Sequence, residues 1–138
     1  GISQATGKRF GLGFLKGQPD HTFRDPRILI PVRDAAGVLL GVRCYRPGAK
    51  SRKIMPLCWG MKTSLFPLDQ IPKGTKVLIL AEGERDCMVL HENGFVAITY
   101  TQNDEELEKR IAMLVDRGAL VILIDNIKAM FVKKKAQE

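Results

Sequence analysis

The sequence predicts an α/β chain, α+β overall: a small, β-rich, basic N-terminal subdomain over residues 1–68, then a Rossmann-type parallel sheet with flanking helices over residues 69–138. Three observations carry this. Apolar, partly β-branched runs flank the turn Asp34-Ala35-Ala36-Gly37, the pattern of a β-hairpin. Two continuous apolar runs, Val77-Leu78-Ile79-Leu80-Ala81 and Leu120-Val121-Ile122-Leu123-Ile124, have the character of strands buried on both faces. Between them lie two stretches of helical spacing separated by Val96-Ala97-Ile98-Thr99, which gives β-α-β-α-β and right-handed crossovers.

Taken in order, Ser3 is placed to cap one short helical turn, and the glycines at 7, 11 and 13 favour loop, so the first 25 residues read as a lead-in. In the hairpin, Val38, Leu40 and Val42 alternate with Leu39, Gly41 and Arg43; the first set predicts the buried face, with Arg43 and Tyr45 on the other. Ile54-Met55-Pro56-Leu57 adds a short strand within a basic stretch punctuated by Gly and Pro. Pro72-Lys73-Gly74 turns the chain into the first apolar run. Glu84 to Asn93 has helical spacing, with Gly94 as its C′ residue. Asn103 and Glu106 form a capping pair for a second helix, with Leu107, Ile111, Leu114 and Val115 in period and Gly118 at its end. The final lysine run reads as a solvated tail.

Composition narrows the function. Of 138 residues, 45% are hydrophobic and 27% charged, with no apolar run near the roughly 18 residues of a membrane span, which excludes that class along with disorder, collagen and coiled coil. Cys44, Cys58 and Cys87 are too widely spaced for a zinc site or a disulfide framework. With no signal peptide and no initiator methionine, the expectation is a cytoplasmic fragment of something longer, without membrane association. The net charge of +7 is uneven. Residues 1–64 hold twelve Lys/Arg against three Asp, a charge of +9, and the remainder carries −2. A basic module beside an acidic one suits a polyanion held by one and carboxylate chemistry supplied by the other.

In parallel sheets, sites form at the carboxyl ends of the strands. Here the first apolar run ends in Glu82-Gly83-Glu84-Arg85-Asp86 and the last in Asp125. If those strands are neighbours, Glu82 and Asp125 converge, with Asp86 one helical turn past Glu82. Gly83 leaves room for a ligand where the strand turns into the helix. Glu82, Asp86 and Asp125 are hard oxygen donors that suit Mg²⁺ or Mn²⁺. Taken alone, Glu84 and Asp86 also complement a helix dipole, Arg85 reads as a solvated helix residue, His91 as a surface or satisfied histidine, and Trp59 as core.

The run Val77 to Asp86, a hydrophobic strand followed by Glu-Gly-x-x-Asp, resembles the first motif of TOPRIM domains, and Leu120 to Asp125 resembles the strand of the second. The upstream segment, from Ile28-Leu29-Ile30-Pro31-Val32-Arg33-Asp34 through Gly41-Val42-Arg43-Cys44-Tyr45-Arg46 to Lys53 and Ser64-Leu65-Phe66, resembles the polymerase core of phage and plasmid primase-helicases. Ile2-Ser3-Gln4-Ala5-Thr6 is similar to the segment that links a zinc-binding domain to that core. The resemblance implies a DNA primase core making RNA primers on single-stranded DNA from ribonucleoside triphosphates, with Glu82 catalytic. It also implies that Glu82, Asp86 and Asp125 hold the divalent ions. Arg43, Arg46, Lys50, Arg52, Lys53 and Lys62 would then track template and nucleotide phosphates, and a replicative helicase and a zinc-binding domain would be partners. The second motif departs from the family's Asp-x-Asp, because Ile127 stands where the second acid would be. Two other readings follow: a non-catalytic single-strand-binding module of degenerate TOPRIM fold, or a TOPRIM nuclease or recombination protein.

Overall fold

A computed structural model describes residues 2–17, 25–46, 48, 54–57, 65–99, 107–125 and 129–134; the side chains of 107–108, 122–125 and 129–134 lie outside that description. Helix α1 (Gln4–Phe10) starts where Ser3 accepts the Thr6 N–H at 3.2 Å and ends at Gly11, in the left-handed conformation at φ 68°. It is longer than the single turn expected, because two good caps hold it despite Gly7 in its interior.

Strands β1 (Gly13–Leu15), β2 (Arg27–Arg33), β3 (Leu39–Tyr45) and β4 (Ile54–Pro56) form an antiparallel sheet in sequence order. The supposed lead-in thus contributes a helix and an edge strand. The β2–β3 turn is held by Asp34, whose Oδ1 accepts the N–H groups of Ala36 and Val38 at 2.9 Å, with Gly37 at φ 88°. The expected burial face is corrected: Leu39 is exposed as expected, but Val38 is exposed too, whereas Gly41 is buried. The pairing shifts between Val32↔Gly41 and Arg33↔Leu39, which leaves Leu40 as an extra residue and breaks the alternation there. Past the irregularity, Arg43 and Tyr45 pair with Ile30 and Ile28, and this is the side turned to the core.

The second sheet has the order β6-β5-β7-β8. Strand β5 (Thr75–Leu80) leads through α2 (Glu84–Glu92) to β6 (Ala97–Ile98), and α3 (Leu107–Leu114) leads to β7 (Val115–Asp125). As expected, β5 runs parallel to both β6 and β7. Two boundaries differ. The helix stops at Leu114, and Gly118, at φ 90°, lies in an irregular stretch where Thr75↔Val115 gives way to Val77↔Leu120. Residues Ala129–Lys134 form β8, antiparallel to β7, so Lys133 and Lys134 belong to a strand rather than a tail.

Two apolar clusters sandwich β5. One joins Phe10, Ile30 and Phe66 to Ile79, Ala81, Cys87, Met88 and Ala97, drawing on both sides of position 68. The other joins Leu65, Ile71, Leu78, Ile98 and Ile111 to Val115, Ala119 and Val121. The Phe10 ring lies 5.8 Å from Phe66 and meets His91 edge-on at 5.7 Å. Glu92, at the end of α2, accepts from Ser3 N–H and Thr6 Oγ1, both at 2.8 Å, and pins α1. His91 is buried, its Nε2 2.8 Å from the Ala97 carbonyl oxygen and 3.1 Å from the Ala97 nitrogen, so it is a satisfied core histidine.

The positive-φ glycines are not equivalent. A Cβ on Gly37 would meet nothing within 4 Å, whereas one on Gly74, at φ 80°, would sit 2.8 Å from Asp116 Oδ1, a carboxylate already paired with Lys76. Gly37→Ala should cost about 1 kcal/mol for the left-handed backbone alone and Gly74→Ala about 2 kcal/mol, as read from urea denaturation.

Burial pushes the His91 pKa down, with help from the Arg9 charge and against the hydrogen bond to Ala97. The folded state therefore holds the neutral imidazole. Its contribution is complete above the ordinary value of 6.5 and declines as pH falls below it. Glu92, held down by its bonds to Ser3 and Thr6, weakens only below its ordinary 4.5. Between pH 7.5 and pH 5, unfolding midpoints should fall for the wild type and stay flatter for His91→Gln.

Candidate active site

The β5–α2 junction builds the site. Gly83 is the N-cap of α2 at φ −148°, ψ 167°, an extended conformation open to any residue, and it supplies no side-chain cap. Among the described residues, chain neighbours aside, a Cβ there would meet no atom within 4 Å, so they leave the space beside the junction open. Glu82 is exposed at this opening, and Asp86 follows in the first turn of α2, half-buried. The last registered pair of β5 and β7 is Leu80↔Leu123, so the carboxyl ends of the two strands, followed by Glu82 on one and Asp125 on the other, lie at the same edge of the sheet. Strand adjacency, on which the sequence argument depended, is therefore met. The Asp125 side chain, Asn126 and Ile127 lie outside the described residues.

The donors fit a hard divalent ion in kind: carboxylates at an open strand-to-helix junction, with a third acid on the neighbouring strand. Among the described side chains alone, no group of three metal-capable residues is gathered. The N-terminus of α2, bearing Glu84 and Asp86, already has its dipole complemented by acid.

Glu84 is not at this opening. Its side chain is 4% exposed and sits 2.8 Å from Arg43 Nε, itself 16% exposed. The Nε–H is not aimed at the carboxylate oxygen, so the contact is ionic rather than an aligned hydrogen bond. Arg43, expected in the phosphate-tracking set, is thereby turned inward onto α2. Arg46 remains at the surface, 2.9 Å from Asp25, a pair of two half-exposed groups of the kind worth about 0–1 kcal/mol. Lys50, Arg52, Lys53 and Lys62 lie outside the described residues, as do Cys58 and Trp59. Sequence reasoning missed the Arg43–Glu84 pair. The only available signal was the alternation that put Arg43 beside Tyr45 on one face of β3. It also missed a cavity of about 330 Å³ between α1, β2–β3 and α2, whose walls include Gly7, Ile28, Tyr45, Arg85 and Met88.

Against solved structures, the chain is similar to the zinc-binding and RNA polymerase domains of the Aquifex aeolicus primase at 21% identity and TM-score 0.63, covering 89% of this chain and 40% of that one. The fold is that of a primase catalytic core. The RNA polymerase domain of the Mycobacterium tuberculosis primase matches at 18% identity and TM-score 0.62, covering 91% of this chain and 56% of that one. A chain of the bacteriophage T7 assembly of lagging-strand DNA polymerase with primase domains, bound to an RNA/DNA hybrid, matches at 15% and 0.62, covering 91% and 64%. The chain thus spans roughly two-fifths to two-thirds of these primase structures. No family profile and no curated protein matches the sequence. Among the described residues of this primase-like core, no helix is long and apolar enough to cross a membrane.

Two of the described cysteines, Cys44 on β3 and Cys87 on α2, are buried thiols. Burial pushes the Cys87 pKa well up, with the Glu84 and Asp86 charges adding to it, and burial raises Cys44 against the opposing charge of Arg27. Both should stay unmodified by iodoacetamide at pH 8 in the folded protein and label readily in urea, as read by peptide mass mapping.

Proposed function

We propose that this chain is the catalytic-core portion of a DNA primase, making short RNA primers on a single-stranded DNA template by metal-dependent nucleotidyl transfer. The observation that carries the reading is that β5 and β7 are parallel neighbours, so that the residues following their carboxyl ends, Glu82 and Asp125, belong to one edge of the sheet, with Asp86 in the first turn of α2. The primase-like fold supports it. So do two similar structures, one a primase catalytic domain bound to single-stranded DNA and one an assembly holding an RNA/DNA hybrid.

In this reading Glu82 aids proton transfer from the attacking hydroxyl, and Glu82, Asp86 and Asp125 hold Mg²⁺ or Mn²⁺. The ion, when bound, neutralises the nucleotide phosphates as charge shifts onto the leaving pyrophosphate. Arg46, Lys50, Arg52, Lys53 and Lys62 line the path of the template and of the ribonucleoside triphosphates, with salt-sensitive affinity. An upstream zinc-binding domain and a replicative helicase are the partners it implies, with a functional boundary near position 68.

Primer synthesis from ribonucleoside triphosphates on single-stranded DNA should require Mg²⁺ or Mn²⁺ and fall by about 10²-fold or more in Glu82→Gln. Undiminished synthesis by that variant overturns the catalytic assignment. Ile127, in place of an acid, favours a second reading as a non-catalytic binding module; single-strand binding indifferent to Mg²⁺, with no synthesis by the wild type, would establish it.

A further inference from the structure

We infer that the Arg43–Glu84 ion pair positions the acidic edge, tying the first turn of α2 to strand β3 so that Glu82 and Asp86 keep a fixed spacing. The inference rests on the proposed role of those two carboxylates in holding a divalent ion.

The junction gives the pair its importance. Gly83 adds neither a capping side chain nor a Cβ contact to the turn between Glu82 and Glu84, so that turn is built from the most permissive residue the chain has. Immediately after it, Glu84 is buried as an anion, which is unfavourable unless an opposite charge compensates it. Arg43 supplies that charge from the other sheet. Arg43 pairs with Ile30, which belongs to the same core cluster as Cys87 and Met88 of α2. A shift of the α2 N-terminus away from β3 would therefore separate two buried charges and open the cluster together. Glu84 shares the first turn with Asp86, and Glu82 precedes it by two residues, so both carboxylates move with it. Arg43 acts here as a positioning residue, not as a phosphate contact.

The test replaces both partners by apolar groups of similar length, Arg43→Met with Glu84→Leu. This leaves net charge unchanged and avoids stranding one buried charge. The probe is Mn²⁺ titrated into the whole chain, read as paramagnetic broadening of the Gly83 and Asp86 amides, with thermal midpoints as the control for folding. We expect the double variant to melt near the wild type and to bind Mn²⁺ at least tenfold more weakly. The exchanged pair, Arg43→Glu with Glu84→Arg, should recover affinity to within about threefold. A folded apolar variant that binds Mn²⁺ as tightly as the wild type overturns the positioning role and leaves the metal reading intact. Absence of localised broadening in the wild type overturns the metal reading itself and this inference with it.

Discussion

Burial of β5 on both faces is the constraint on which the rest depends. Leu78 faces one cluster and Ile79 and Ala81 the other, so the strand cannot be ordered until both layers close over it. One layer is α3 with Leu65 and Ile71. The other is α2 backed by Phe10, Ile30 and Phe66, residues that precede the start of β5 by 9 to 65 positions. The N-terminal sheet is therefore part of the packing that makes β5 a buried strand, and the direction in which β5 delivers Glu82 follows from it.

Where a single element dictated its own conformation, the sequence could be read directly. The all-apolar runs at Val77–Ala81 and Leu120–Ile124 read as internal strands, and the parallel order of the two followed, although Val77 itself is exposed. The Asp34–Gly37 turn carried its own chemistry, and Gly94 closed α2 as its position suggested, at φ 85°. What could not be read depended on partners distant in the chain. Gly13–Leu15 is a strand because β2 offers it an edge, and Ala129–Lys134 because β7 does. The burial face of β3 was misjudged because one extra residue at Leu40 breaks the period-2 rule, and nothing local in Val38-Leu39-Leu40 marks that break. Glu84 looked like ordinary dipole complement. Its role as a buried anion appears only once β3 is laid across α2.

The charge asymmetry of the chain has two components in the fold. Arg46 and Asp25 pair at the surface, where solvent screens them and either partner can be exchanged for a ligand at little cost. Arg43 and Glu84 pair between layers, where water is excluded and exchange is costly. A count of basic residues in the first half treats these two arginines alike, yet one lies at the surface and the other is turned inward against α2. The usable positive surface is thus smaller than +9 implies.

Strand β6 is only two residues long and lies at the outside of its sheet, the position from which β-proteins add foreign strands. Its outward backbone groups are partly occupied. The His91 Nε2 lies against Ala97 and, according to its tautomer, either donates to the Ala97 C=O or accepts from the Ala97 N–H, and two residues on, Thr99 exchanges N–H···O bonds of 2.8 Å in both directions with Phe66. An imidazole and a short antiparallel bridge thus take the place of a fifth strand. The histidine that packs the core thus also covers part of this rim, leaving a foreign strand less unpaired backbone to add to than a bare edge would offer.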